Sequence, residues 1–230
     1  TVGLSVAIRM SLRWSATELE RREAVKSRTE AELKNLRNQL NPHFLLNTLN
    51  NIYALTAFDT EKAQQAIQEL SKLLRYVLYD NQETFVPLTK EVEFIQNYIE
   101  LMRIRVSSAV KINTNFQIRP DSQSPVAPLL FISLIENAFK HGISPTEPSF
   151  IDIMLTEKDD EIHCVIRNSN YPKNAMDKSG SGIGLEQVRK RLELLYAGRY
   201  EWHQQISSNQ KEYSSILTIK IPDNNKKILP

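Results

Sequence analysis

Hydrophobic residues recur at two different spacings along this chain, and the spacing changes near residue 109. Before that point they return every three or four positions, which predicts amphipathic helices. Beyond it, polar and apolar side chains alternate, which predicts β-strands with one buried face, in the segments VKINTNFQI, FIDIMLTE, EIHCVIRN and YSSILTIKI. Helical stretches separate these strands, namely PLLFISLIENAFKHG and GLEQVRKRLELLYAG. The pattern therefore predicts an α+β protein in which helices precede a mixed sheet that has helices on one face.

The helical region divides into a charged segment and a hairpin. Residues 15–40 contain no Pro or Gly, and the heptad row from Leu12 to Leu40 is a weak coiled-coil seam. Asn41-Pro42 fits either a cap with proline at the first helical position or a kink in a longer helix. Two helices are predicted on either side of a turn at Asp59-Thr60, and another runs from Thr89, as its cap, to about Val106. Because two helices enclose little core, we expect the hairpin to dimerise into a four-helix bundle.

Composition and charge limit the classes of function. The net charge of the 230-residue chain is +2, which gives no reason to expect nucleic acid as a partner. The single cysteine, Cys164, excludes an internal disulfide. No apolar run reaches the ~18 residues of a membrane span. The opening TVGLSVAIRMSLRW lacks an initiator methionine and mixes apolar with basic residues. It suits either the cytoplasmic exit of a membrane helix that precedes this fragment or an ordinary exposed helix end.

One predicted helix carries polar residues that suit a phosphate-rich ligand. In LLFISLIENAFKHG, Asn137 and His141 lie four residues apart on one face, with Lys140 nearby. An amide oxygen is a hard ligand for Mg²⁺, and a lysine can neutralise phosphate oxygens. An exposed polar face that ends in a C-cap at Gly142 explains the same residues equally well. By contrast, His163 falls within a strand and His203 near a predicted turn, and neither has metal-ligand neighbours.

A glycine-rich segment follows, KSGSGIGLEQVRKRL, and it ends in a predicted helix. Glycines let backbone N–H groups approach phosphate closely, next to the positive end of a helix. A flexible linker would have the same composition. The glycines come after both the asparagine-bearing helix and a strand that ends in IRNSN, and this combination favours nucleotide binding.

Three segments in this order resemble the LytS-type sensor histidine kinases: NPHFLLNTLN, LIENAFKHG and GSGIGLEQVRKRLELLY. These kinases carry a GHKL-type ATP-binding domain, related to the ATP sites of gyrase, Hsp90 and MutL. The resemblance covers roughly residues 36–222. It implies a membrane-proximal coiled-coil linker over 1–35, dimerisation and phosphotransfer helices over 36–108, an α/β sandwich that binds ATP over 109–222, and a tail over 223–230.

The resemblance also implies roles for individual residues. His43 would be the phosphoacceptor, Asn137 would bind Mg²⁺, and Lys140 and His141 would lie near the triphosphate of ATP. Further nucleotide contacts are implied at Asn168, Gly180, Gly182, Gly184 and Leu185. A kink at Pro42 would help expose the His43 ring, and a histidine of ordinary pKa is largely neutral at cytoplasmic pH, as a nucleophile must be. From local sequence alone, a capping or interfacial histidine fits as well.

The chain departs from the family pattern in three places. Asn168 replaces the usual adenine-contacting Asp, although its amide oxygen can still accept from the adenine amino group. Asn170 occupies a glycine position, where Asn tolerates positive φ better than most residues. Phe44 follows the histidine where many histidine kinases have an acidic residue. Either another carboxylate then takes the proton or none does, and Glu136 is the candidate base, if it is not simply a solvated helix carboxylate.

The resemblance implies an ATP- and Mg²⁺-dependent protein-histidine kinase, which autophosphorylates His43 and passes the phosphoryl group to an aspartate on a response-regulator receiver domain. We expect a homodimer and the cytoplasmic portion of a bacterial inner-membrane protein, tethered through a preceding segment. The alternative is a kinase-like scaffold that binds nucleotide and signals by conformation. A water-dependent ATPase is disfavoured, because that class places a catalytic Glu four residues before the metal-binding Asn, and here that residue is Ser133.

Overall fold

The computed structural model describes residues 42–80, 83–171 and 183–221. It divides into two compact units between Asn50 and Asn51, and each is considered by itself. The predictions for residues 1–35 and 223–230 lie outside the described residues, as do Gly180, Gly182 and the side chain of His43. In the described part of the chain, no helix is long and apolar enough to span a membrane.

The two helices predicted for the hairpin are present, and a short turn joins them. Helix α1 spans Pro42–Thr56 and α2 spans Thr60–Arg75, followed by a π-helical turn over Tyr76–Asp80. The predicted turn at Asp59 is confirmed, because the Asp59 carboxylate caps α2 by accepting from the Lys62 N–H at 3.0 Å. The buried stripe of α2 includes Ala63, Ala66, Leu70 and Leu73.

Helix α3, Leu88–Arg105, follows a two-residue strand, β1, Val86–Pro87. The N-cap of α3 is Pro87, so the predicted cap at Thr89 is wrong. Thr89 is the second residue of the helix, and its hydroxyl donates to the Ser122 carbonyl at 3.2 Å. Strand β1 pairs antiparallel with β3, Pro125–Val126, and this pairing brings the start of α3 beside the chain that leads into the next helix, α4, Leu130–His141.

A five-stranded mixed sheet forms the second layer, in the order β2-β4-β5-β7-β6. Its strands are β2 Val110–Gln117, β4 Ser149–Lys158, β5 Glu161–Ser169, β6 Tyr200–Ile206 and β7 Glu212–Lys220. Only β2 and β4 run parallel, and the other pairs in this sheet are antiparallel. The alternation predicted from the sequence is confirmed in β5, where Ile162, Cys164 and Ile166 are buried.

Two helices pack on one another beside the buried face of the sheet: α4, Leu130–His141, and α5, Ile183–Tyr196. The predicted α+β class is therefore confirmed. Strand β6 was not predicted, because its sequence YEWHQQI was read as a turn near His203. It is a mostly exposed edge strand with little alternation, and pairing with β7 places it, through Trp202 opposite Leu217 and a 2.9 Å bond from Trp202 Nε1 to Ser215 Oγ.

Candidate nucleotide-binding site

Helix α4 has one buried apolar face and one polar face. The residues that pack into the core include Leu130, Leu134 and Ala138. Asn137 and His141 are half-buried one turn apart, and Lys140 is exposed beside them. Lys140 and His141 occupy the last turn, where the helix dipole favours positive charge. The predicted common face of Asn137 and His141 is therefore present at the C-terminal end of α4.

Asn168 is the most unusual polar side chain near this helix end. It is the next-to-last residue of β5 and is 1% exposed. Its Nδ2 donates to the Ser169 carbonyl at 2.7 Å. That bond determines which side-chain atom is the oxygen. Oδ1 is buried and has no hydrogen-bond partner among the residues that the structure describes. Because buried polar atoms are normally paired, Oδ1 is an acceptor that a bound donor could satisfy.

Gly142 is the residue that lets the end of α4 approach Asn168. A Cβ at this position would lie 2.8 Å from Asn168 Cβ, 2.9 Å from Asn168 Nδ2 and 2.5 Å from the Ala138 carbonyl oxygen. The φ angle of Gly142 is −92°, which any residue can adopt. Gly142 is the C-cap of α4, as predicted, and glycine is needed at this position for close packing against β5.

The chain that leaves β5 lies along the end of α4. The Tyr171 N–H donates to the His141 carbonyl at 3.1 Å, and its hydroxyl donates to the Pro148 carbonyl at 2.7 Å. Asn170 does not have the positive φ that its glycine position in the family suggested. Instead its Nδ2 donates to the Gln210 carbonyl at 2.9 Å, so the side chain holds the turn before β7. These bonds assemble Asn168, Gly142 and His141 into one region.

Glu136 is the neighbour of Asn137 on α4. Burial raises the pKa of its carboxyl to about 7. Such a group exchanges its proton readily near neutral pH, as a general base must. Glu136 is thus not a fully solvated carboxylate, and its role as the base stays a prediction.

Two of the predicted nucleotide-binding residues of the glycine-rich segment, Gly184 and Leu185, lie at the start of α5. Gly184 has open space around its Cβ position, and Leu185 is half-buried. Helix α5 is held to the chain before α4 by two hydrogen bonds, of which the first is partly buried and the second buried. Arg191 Nη2 donates to the Pro128 carbonyl at 2.6 Å, and the Tyr196 hydroxyl accepts from the Ala127 N–H at 2.7 Å.

The sequence did not identify the contacts of Arg191 and Tyr196. Their partners are backbone atoms that are more than sixty residues away in the chain. The structure thus connects the second half of α5 to the segment that leads into α4.

Comparison with known proteins places this geometry in a family. A family model described as "Histidine kinase" matches residues 31–110. The chain is 30% identical to the sensor protein LytS of Oceanobacillus iheyensis over 92% of its own length and 38% of the relative. It is 32% identical to the sensor histidine kinase YpdA of Escherichia coli, over 85% of this chain and 35% of the relative. The chain therefore spans little more than a third of the length of these relatives.

Solved structures with a similar arrangement are also histidine kinase domains. The catalytic domain of the histidine kinase ThkA aligns with 60% of this chain and 94% of its own, at 17% identity and a TM-score of 0.42. The histidine kinase domain of a blue-light activated kinase from Erythrobacter litoralis aligns with 81% of this chain and 92% of its own, at 13% identity and a TM-score of 0.44. The assignment of the family rests on the sequence relatives and on the family model. The chain belongs to the LytS-type sensor histidine kinases.

Proposed function

We propose that this chain is the kinase core of a sensor protein that autophosphorylates His43 from Mg-ATP and then transfers the phosphoryl group to an aspartate of a response-regulator receiver domain. The observation that carries the proposal is the buried, unpartnered Oδ1 of Asn168 beside the polar end of α4. A family relationship alone would imply ATP use, but this atom supplies a specific reason for an adenine to bind.

Adenine has an exocyclic amino group that donates hydrogen bonds. Asn168 Oδ1 accepts one of them, which would satisfy an atom that is otherwise buried without a partner. Gly142 has no Cβ, so the part of α4 that packs against Asn168 consists of backbone atoms. Asn in place of Asp also suits a side chain that is almost fully buried, since an amide has no charge to desolvate.

The polar residues of α4 suit the phosphates and their metal. Asn137 would hold Mg²⁺ through its amide oxygen, and Lys140 and His141 would lie toward the triphosphate, with Gly180, Gly182, Gly184 and Leu185 closing over it. Bound Mg²⁺ supplies neutralisation of the charge on the transferring phosphoryl group. Lys140 adds a positive charge on the same helix face.

The phosphoacceptor step needs a neutral imidazole nitrogen at His43, the second residue of α1. Its lone pair forms a bond to the γ-phosphorus while the bond to the bridging oxygen breaks and ADP leaves. The imidazole must then lose its remaining proton to a base. Glu136 is the proposed base, and its pKa of about 7 suits that task.

Exposed apolar side chains on the hairpin support a homodimer. Tyr53 and Phe58 are 81% and 89% exposed, and Ile67 is also exposed. A second copy of the hairpin would cover such residues in a four-helix bundle. The names of the relatives describe sensor proteins, so we further propose that the chain is the cytoplasmic part of a membrane-tethered bacterial sensor.

Incubation with γ-labelled ATP and Mg²⁺ tests the proposal directly. We expect acid-labile, alkali-stable label on the wild type, no label on His43→Gln or Asn137→Ala, and full label on His203→Gln, an exposed histidine that serves as the matched control. Label that survives in His43→Gln would refute the phosphoacceptor. Nucleotide binding without any label would favour the scaffold that signals by conformation.

A further inference from the structure

A single buried carboxylate joins three helical elements of the larger unit. Glu91 lies in the first turn of α3 and is 0% exposed. Its Oε2 accepts from the Tyr76 hydroxyl at 2.8 Å and from the Leu129 N–H at 3.0 Å. Tyr76 begins the π-helical turn that ends α2, and Leu129 is the N-cap of α4. One oxygen atom thus connects the end of the hairpin to the beginning of the nucleotide-binding helix.

The start of α4 depends on this connection. Leu129 has φ 60° and ψ 23°, a left-handed conformation that is unfavourable for a leucine, and its own side chain makes no capping bond. The carboxylate of Glu91 serves as the cap from another helix. It accepts one of the N–H groups that have no partner within α4, at the helix end where negative charge is favoured.

Helix α5 binds the residues just before α4 through two hydrogen bonds. Arg191 donates to the Pro128 carbonyl at 2.6 Å, and the Tyr196 hydroxyl accepts from the Ala127 N–H at 2.7 Å. The charged and titratable groups that act on Glu91 are Tyr76 from the π-helical turn and Arg191 and Tyr196 from α5. The three residues before α4 are therefore held between Glu91 and α5.

Burial of Glu91 costs free energy, because the carboxylate loses its contact with water. Its Oε1 is buried and has no hydrogen-bond partner among residues 42–80, 83–171 and 183–221. A glutamine or an apolar residue would fill a packing position without a charge to desolvate. The Glu91 side chain accepts two donors on one oxygen, and its charged form also complements a helix N-terminus.

We propose that Glu91 is a positioning residue that couples the end of α2 to α4, so that movement of Tyr76 changes the placement of the nucleotide-binding helix. The inference rests on the proposed function, since it is the ATP site that α4 carries. Helix α4 has 12 residues, and Asn137, Lys140 and Gly142 lie at its far end. A helix of this length moves as a rigid rod, so a change at the cap of its first turn is carried to its last turn.

Tyr76→Phe tests the coupling with the loss of one hydroxyl. The ring still stacks on Phe94, whose centroid is 4.6 Å away. We expect hydrogen exchange in the first turn of α4 to be about 3- to 10-fold faster and the Kd for ATP to rise by about the same factor, which is the size of one lost hydrogen bond. Tyr79→Phe, an exposed tyrosine in the same π-helical turn, is the matched control and should change neither quantity.

Glu91→Met tests whether the Glu91 side chain is the shared link, because methionine has a similar length and no oxygen to accept the two bonds. If it is, Tyr76→Phe should have a much smaller effect in the Glu91→Met background than in the wild type, because both variants break the same connection. Equal effects in both backgrounds would overturn the proposal.

A merely structural role for Glu91 predicts a different result. Tyr76→Phe would then lower the melting temperature while exchange in the first turn of α4 and the Kd for ATP remained at the wild-type values, and this outcome would also overturn the proposal. Failure of the wild type to bind ATP would refute the proposed function instead. The exchange measurement needs no nucleotide, so it decides the coupling in either case.

Discussion

Gly142→Ala adds one methyl group at the point where α4 meets β5. The new Cβ would lie 2.5 Å from the Ala138 carbonyl oxygen and 2.8 Å from Asn168 Cβ. Unstrained carbon–carbon contacts are roughly 3.5–4.0 Å. The Ala138 oxygen is a backbone atom, and Asn168 Cβ is the first atom of a buried side chain. Neither atom can rotate away from the new methyl group. Relief requires the end of α4 and the end of β5 to separate.

The cost of this separation can be estimated from the contacts. Overpacking in a close-packed interior costs about 1–3 kcal/mol. Moving Asn168 also weakens its 2.7 Å bond to the Ser169 carbonyl, which adds about 0.5–1.5 kcal/mol. A loss of about 2–4 kcal/mol lowers the melting temperature of a protein of this size by roughly 5–15 °C. Since Asn168 is the proposed acceptor for adenine, the Kd for ATP should rise as well.

Thermal unfolding followed by circular dichroism, together with ATP titration by calorimetry, measures both effects. Gly184→Ala is the matched control for stability, because its Cβ would have nothing within 4 Å and alanine favours helix. Its melting temperature should equal or exceed that of the wild type. A Gly142→Ala protein with the wild-type melting temperature and the wild-type Kd would show that the two elements are not in tight contact, and the site described above would be wrong.

Three further predictions concern stability. Burial disfavours the charge of Glu157, but hydrogen bonds from Arg119 and two serines outweigh it and lower its pKa to about 2. Its stabilisation is therefore present above about pH 4.5 and is lost as the pH falls through about 2, so urea unfolding of Glu157→Gln should show a larger deficit at pH 7 than at pH 3. Burial raises the pKa of Glu91 to about 7, so stability should fall as the pH rises from about 4.5 through 7. Glu91→Gln should flatten that slope, and an unchanged slope would contradict the assignment. Tyr196→Phe leaves the buried Ala127 N–H without its 2.7 Å acceptor and should cost about 1–3 kcal/mol in urea unfolding, whereas an unchanged midpoint would refute the bond.

Hydrophobic periodicity was sufficient to predict most of the elements. Such elements depend on residues that are close together in the sequence. The alternation of β5 and the cap at Asp59 each involve only a few consecutive residues. The edge strand β6 was missed because an exposed strand has little alternation and depends on its neighbour, β7, for its backbone bonds. The cap of α3 was misplaced for a related reason, since Thr89 bonds to Ser122, which is distant in the chain.

The motifs also indicated which residues to examine in the candidate site, including Asn137, His141 and Asn168. Only the tertiary structure decided that Gly142 is needed for packing against Asn168 and that Asn170 holds a turn through its side chain. It also decided that Leu129 takes a left-handed conformation whose cap comes from Glu91, 38 residues away. Periodicity and local caps such as that of Asp59 depend on neighbours within about one helical turn, and the sequence records them directly. Close approach between elements, and the pairing of a buried polar atom, depend on residues that the chain brings together only when it folds.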